Sequence, residues 1–234
     1  MMIRLRPGDA RGQVRTGWLD SRHTFSFGHY YDPEWMGFGP LRVINQDLVA
    51  PGAGFPTHGH ANMEIISIVL QGALEHRDSI GGGGVIRPGD VQVMSAGHGI
   101  EHSEFNASAT EPVGFLQIWI QPDRVNAVPR YQQHAFEPGH DAGRLALLVG
   151  PDGAQAPLTI RQDARLLGAT LAAGEAVEHR IGAGRRAWVQ LVSGAATVAG
   201  EPLAAGDALG LESEAVVAIR ALEGGARLLV FDLP

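Results

Sequence analysis

Apolar and polar positions along the chain fall into short runs rather than long helical stripes. Residues 63–70 (MEIISIVL), 91–94 (VQVM), 113–120 (VGFLQIWI) and 187–192 (AWVQLV) are rich in β-branched side chains and are bounded by Gly, Pro or Asp. That pattern predicts strands. Convincing amphipathic helices of ten or more residues are absent, and the only short-helix candidates are residues 103–110 and 122–128. The 32 glycines and 14 prolines suit many strands joined by tight turns. The pattern predicts an all-β protein.

The chain also echoes itself. Residues 65–90 run apolar strand, Gly72, second strand, then Pro88-Gly89-Asp90, and residues 187–207 run apolar strand, Gly194, second strand, then Ala205-Gly206-Asp207. Each copy is too short to close a core alone, so the repeat predicts two related β-barrels packed together rather than one long sandwich. Composition divides at the same place. Thirteen of the fifteen aromatic residues precede residue 137, and nine of the ten histidines precede residue 141. Turn-rich residues 134–143 and 150–157 separate an aromatic, His-rich unit (residues 1–140) from a plainer one (residues 141–234).

Charge and cysteine usage narrow the function. The net charge is −7, and all 18 basic residues are Arg. Such a chain lacks the positive field that phosphate backbones demand, so nucleic acid is not expected as a direct partner. The absence of Cys excludes disulfides, thiolate metal sites and a Cys nucleophile. No apolar run approaches the roughly 18 residues that cross a bilayer, so no membrane partner is expected. The opening MMIRLRPGDARG has no signal-like apolar core, which makes the cytoplasm the expected compartment.

Two constellations carry chemistry. In His58-Gly59-His60, residues two apart on a strand point to one face, so both imidazoles project together. His102-Ser103-Glu104 has the same spacing and the same consequence. A single His-x-His in a β protein is usually a surface or cross-strand pair; two such donor pairs on different strands can converge on one ion. Three imidazoles and a carboxylate suit a divalent first-row metal, and four ligands on a six-coordinate ion leave two positions open for catalysis. Glu64 shares the parity of His58 and His60, so spacing alone does not choose between Glu64 and Glu104.

These residues sit in recognisable motifs. Gly52, His58, His60 and Glu64 resemble the first cupin motif, with Gly72 closing it one residue late. Gly89, Ser95-Ala96-Gly97, His102 and Asn106 resemble the second, with Ser in place of Pro and two extra residues before the His. The run from Ser95 to Glu104 (SAGHGIEHSE), with Thr24-Phe25-Ser26-Phe27, Leu41-Arg42-Val43-Ile44-Asn45 and Val128-Pro129-Arg130-Tyr131, resembles the pirin branch of the cupins. The likeness is strongest to bacterial pirin-like quercetin 2,3-dioxygenases and covers nearly the whole chain.

The resemblance implies two tandem cupin barrels of jelly-roll type, the first carrying the metal and the second lacking ligands. It assigns the metal to His58, His60, His102 and Glu104 and makes Glu104 the catalytic base as well. Glu64 is then expected to orient a liganding imidazole. It implies one divalent transition metal, iron(II) first, with Ni, Cu, Mn, Co or Zn as alternatives. The implied activity is that of a flavonol 2,4-dioxygenase, an oxidoreductase opening a planar flavonol such as quercetin with O2 to a depside and CO. The alternative implied by the same family is a regulatory protein whose bound metal controls docking to a protein partner, and a third reading is other metal chemistry on another small molecule. Phe55, Met94, Phe105 and Trp119 are candidate pocket walls. His76, His98, His134 and His140 read as loop or rim residues, and His179 as a surface or loop residue.

Overall fold

The structure, a computed structural model, describes residues 2–234, and among these there are twenty strands and no helix. The first six are β1 (Met2–Arg6), β2 (Gly12–Arg15), β3 (Leu19–His23), β4 (Leu41–Val49), β5 (Gly54–His60) and β6 (Glu64–Gln71). Then come β7 (Leu74–Asp78), β8 (Gly83–Ile86), β9 (Asp90–Ser95), β10 (Ile100–Asn106), β11 (Val113–Ile120) and β12 (Arg130–Ala135). The remainder are β13 (Ala146–Pro151), β14 (Leu158–Ile160), β15 (Arg165–Leu171), β16 (Ala176–Arg180), β17 (Arg186–Val198), β18 (Glu201–Ala204), β19 (Ala208–Glu212) and β20 (Val216–Leu233). Neither short-helix candidate is helical. Residues 103–106 belong to β10, where buried Glu104 and Asn106 alternate with Ser103 and Phe105 in the two-residue period of a strand.

The N-terminal unit comprises residues 12–137 and 158–162. Its larger sheet runs β12-β9-β6-β11-β4-β3-β2 and its smaller one β5-β10-β7-β8. Val49, Val69, Val113 and Phe115 of the larger sheet meet Leu74 and Ile86 of the smaller one in a closed apolar cluster. Further along the same strands, the positions of matching parity become Asn45, Asp47, Ser67 and Gln117. The inward face thus turns from apolar to polar along its length, and the polar end is where the site lies.

Of the described residues, the C-terminal unit comprises 2–11, 138–157 and 163–234. It repeats the wiring of the first. The neighbours β9, β6, β11 and β4 find their counterparts in β19, β17, β20 and β15, and β5-β10-β7-β8 is matched by β16, the start of β20, the end of β17 and β18. One long strand, β17, does the work of β6 and β7, and β20 that of β10 and β11. The repeated Gly-Asp turn is the same object twice. The Arg87 N–H donates to Asp90 Oδ2 at 3.0 Å and the Ala204 N–H to Asp207 Oδ2 at 2.7 Å. Gly89 and Gly206, at φ 98° and 92°, take the left-handed corner that a side chain would strain.

The compact units differ from a division at residue 140 in two places. β1 pairs antiparallel with β19, and the Gly8 N–H donates to Asp207 Oδ1 at 2.6 Å, so the start of the chain closes an edge of the C-terminal sheet. Residues 158–162 join the N-terminal unit, where Arg130 and Gln132 donate to the Thr159 carbonyl at 3.0 and 2.9 Å. Local sequence pattern marks strands and turns, not which distant edge a strand completes.

Candidate metal centre

His58 and His60 stand on β5 and His102 on β10, and the antiparallel register sets His102 directly opposite His58. The ladder slips between His102 and Glu104, so that Glu104 pairs with Phe55. The extra residue falls at Pro56-Thr57, and Pro56 has no N–H to give a ladder. Its carbonyl accepts from His58 Nδ1 at 2.8 Å instead. That bond leaves His58 Nε2 as the available lone pair. The slip also brings Phe55, whose parity differs from that of His58, onto the inner face.

The three imidazoles converge. Ring centroids lie 4.8 Å apart for His58–His60, 4.5 Å for His58–His102 and 4.9 Å for His60–His102. One nitrogen from each falls within 4.8 Å of the other two, a group able to hold a metal ion. Glu104 belongs to a second such group, with His102 and His76. Its carboxylate is buried, accepting from Gln117 Nε2 at 2.8 Å and Ser67 Oγ at 3.3 Å, both uncharged donors. Glu104 lines the same pocket as His58 and His60, with Phe27, Phe55 and Trp119 as apolar walls and Asn45, Asp47 and Gln117 as polar ones. This pocket has about 60 Å³ of water-accessible volume.

Electrostatics favours a cation here. Burial, with the neighbouring imidazoles, pushes His102 down to about 2, and burial with His58 pushes His60 down to about 4. Both are therefore neutral at pH 7, the form that ligates metal. Burial pushes Glu104 up to about 7 against the pull of Gln117 and Ser67, and does the same to Asp47 against its Ser21 hydrogen bond, with the charge of Glu104 adding to the rise. A dication would reverse that penalty on both carboxylates. His102 Nε2 is buried without a hydrogen-bond partner, an orphan that a metal would satisfy. The donor set of imidazole nitrogen and carboxylate oxygen, with no thiolate, fits a first-row divalent ion.

Several expectations need correction. Glu64 does not orient an imidazole. The chain turns between β5 and β6, so the parity shared with His58 is lost, and Glu64 faces away from Ser67 and the pocket. It accepts from Ser95 Oγ at 2.5 Å near Arg161 and Arg130. His76 is no rim residue but fully buried in β7, its Nε2 3.2 Å from Asp78 Oδ2 and its ring stacked on Tyr131 at 4.8 Å. The i, i+2 spacing that singles out the other pairs occurs a third time in His76-Arg77-Asp78 and was the available signal. His98 does sit exposed in a turn. Phe55 and Trp119 line the pocket, whereas Met94 is packed in a separate core cluster with Ile65 and Ile100, and Phe105 points outward.

The C-terminal unit shows what replaces the site. Registered on the repeated turn and on the buried positions of β10 and β20, His58, His102, Glu104 and His76 correspond to Val177, Ile219, Ala221 and Ala196. Asn45, Asp47, Ser67 and Gln117 correspond to Leu167, Ala169, Val189 and Val230. Six of these replacements belong to one apolar core cluster, and the other two, Val177 and Leu167, pack against it half-buried. Only His60 keeps its identity, as His179. That residue is not a loop histidine: it lies in β16 and its Nε2 meets Asp232 Oδ2 at 3.1 Å, while Arg185 Nε donates to Asp232 Oδ1 at 2.5 Å.

The Pirin family profile matches residues 5–120, and the profile described as the quercetinase C-terminal cupin domain matches residues 147–233. The chain is 43% identical to a quercetin 2,3-dioxygenase of Escherichia coli K12 over 233 residues, covering 100% of this chain and 99% of that protein. It is 44% identical to a pirin-like protein of Caulobacter vibrioides, covering 98% and 99%. Among solved structures, YhhW from Escherichia coli superposes with a TM-score of 0.95 at 43% identity, over 100% of this chain and 98% of that one. The nickel(II) complex of the bacterial pirin YhhW gives 0.94 at the same identity, covering 100% and 99%. With two cupin domains, a convergent imidazole group in the first and relatives matched end to end, the chain belongs to the pirin family of bicupins.

Proposed function

We propose that this protein is a metal-dependent dioxygenase that opens flavonols such as quercetin with O2, releasing CO and a depside. The observation that carries the reading is the convergence of three imidazoles beside a pocket that a buried carboxylate and aromatic walls line. The relatives named as quercetin dioxygenases support the choice of substrate class, and the nickel complex of a relative supports a divalent ion. On this reading His58, His60, His102 and Glu104 hold one ion, with iron(II) the first candidate. When bound, such an ion supplies a Lewis-acidic centre for the flavonol's 3-hydroxyl and 4-carbonyl and open positions for chemistry.

The chain's own residues do the rest. Glu104 accepts the 3-hydroxyl proton as general base. Gln117 and Ser67 fix its orientation. Phe27 and Trp119, edge to face at 5.3 Å, wall the pocket and exclude water from it. The pocket is narrow, and on this reading it takes the chelating edge of a flavonol. His60 also borders an open depression with Gly59, Ala61, Ser79, Gly99 and Ile100, where the remaining rings can lie.

The test is quercetin turnover by apoprotein reconstituted in turn with Fe(II), Ni, Cu, Mn, Co and Zn, following loss of flavonol absorbance and release of CO. CO formed in proportion to quercetin lost, with at least one metal, is the expected result. Tight metal binding without CO from any of them would overturn the reading.

A further inference from the structure

Behind the three imidazoles lie two buried side chains that the proposed ligand set leaves unused, His76 and Asp78. Asp78 is locked by the turn between β7 and β8: its Oδ1 accepts the Ile80 N–H at 3.0 Å and the Gly82 N–H at 2.8 Å. Its Oδ2 stands 3.2 Å from His76 Nε2. A carboxylate so held is an acceptor only, and it draws the His76 proton to Nε2. His76 Nδ1 is then a lone pair, and two groups address it, Gln92 Nε2 at 3.4 Å and His102 Nδ1 at 3.4 Å. Tyr131, stacked at 4.8 Å and 23°, holds the plane of the His76 ring.

Gln92 Nε2 and His102 Nδ1 share that one lone pair, so the contact between the two imidazoles is attractive only with the proton of His102 on Nδ1. His102 Nε2 is left bare, and it is the buried nitrogen that has no hydrogen-bond partner. We propose that Asp78 and His76 are positioning residues: a relay from the β7–β8 turn that fixes His102 as the Nδ1–H tautomer and so presents Nε2 to the metal. This rests on the reading of His102 as a ligand. Partners that set the tautomer of a liganding imidazole commonly govern affinity by about 10–100-fold.

Asp78→Asn tests the relay with almost no change of shape. Its amide oxygen keeps the Ile80 and Gly82 N–H bonds, which turns the NH2 toward His76 Nε2. His76 then carries its proton on Nδ1, and its contact with His102 Nδ1 is attractive only with the His102 proton on Nε2. Zn(II) affinity, measured by competition with a chromophoric chelator, is expected to fall about 10–100-fold. In the zinc-free protein, ¹⁵N shifts of the imidazoles should assign His102 as Nδ1–H in the wild type and Nε2–H in the variant. Wild-type affinity in Asp78→Asn, or an Nε2–H assignment for wild-type His102, would overturn the relay. Loss of a second zinc equivalent, with the first retained, would make His76 part of a separate ion site and overturn it equally. Failure of the ligand reading looks different: His102→Ala would bind zinc like the wild type, while the tautomer assignment still decides the relay.

Discussion

At the scale of single residues, two carboxylates of similar sequence credentials separate cleanly. Glu104 lines the pocket between Ser67 and Gln117, while Glu64 serves Ser95 on the other face of β6. On the proposed ligand set, Glu104→Gln is expected to lower both metal content and quercetin turnover, the turnover by at least the 10²-fold typical of a lost general base. Glu64→Gln should leave metal content at the wild-type level. Elemental analysis and rate measurements on the two variants decide, and the reverse ranking would mean that the general cupin arrangement governs. His58→Ala and His102→Ala should each leave the protein folded by circular dichroism with the metal largely gone.

Asp232 gives the second residue-scale prediction. Burial raises its carboxyl, but the bonds from His179 and Arg185 outweigh burial and hold it below the usual carboxylate range. A depressed folded-state pKa means that the stabilisation is complete above the unfolded value of about 4 and is lost as pH falls through the folded one. Asp232→Asn is therefore expected to cost about 2 kcal/mol at pH 7, the worth of charge-assisted hydrogen bonds, with the difference closing below about pH 4. Urea unfolding at a series of pH values measures it. His179→Ala, in the same network, should leave metal content unchanged.

At the scale of elements, the Gly-Asp turn that opens β9 and β19 is a repeated structural part whose two copies carry different loads. Asp90 caps its own turn and accepts from Gln133 Nε2 at 3.2 Å, whereas Asp207 caps its turn and also takes the Gly8 N–H, tying β1 into the sheet. Substituting either by Ala removes a turn hydrogen bond worth about 0.5–1.5 kcal/mol net, and Asp207→Ala removes the Gly8 bond as well. Asp207→Ala is expected to destabilise more, and to speed hydrogen exchange in β1 as well as in its own turn. Equal losses in the two variants would mean that the Gly8 bond adds little.

At the scale of the molecule, one wiring carries two interiors. The C-terminal unit fills its barrel with Val177, Ile219, Ala221 and their neighbours, whereas the N-terminal unit lines the equivalent space with imidazoles, amides and carboxylates. Polar side chains contribute little transfer free energy there, and each must be paired to avoid a desolvation cost. The N-terminal unit is therefore the one whose stability should depend on metal. At 100 times the dissociation constant, binding adds about 2.7 kcal/mol. Hydrogen exchange with and without Zn(II) should show slowing in β5, β7 and β10 and none in β16 or β20. The exchange of segments has its own consequence. A fragment ending at residue 140 carries β1 without β19 and lacks residues 158–162, so it is expected to aggregate on size-exclusion chromatography, with an unpaired strand and an uncovered edge.

Sequence by itself determined the all-β class, the internal repeat and the donor pairs, because each is a local property: strand period, turn chemistry and i, i+2 spacing survive in any register. The absence of ligands in the second unit was equally legible, since no packing can supply an imidazole that the chain lacks. The tertiary structure decided what depends on distant partners. It put Glu104 rather than Glu64 beside the imidazoles, because a turn between β5 and β6 resets parity. It buried His76 and Asp78 behind His102, because β7 is the neighbour of β10 only across a sheet. It sent β1 to the far unit and residues 158–162 to the near one, because an open sheet edge is satisfied by whichever strand reaches it, and reach is a property of the folded chain.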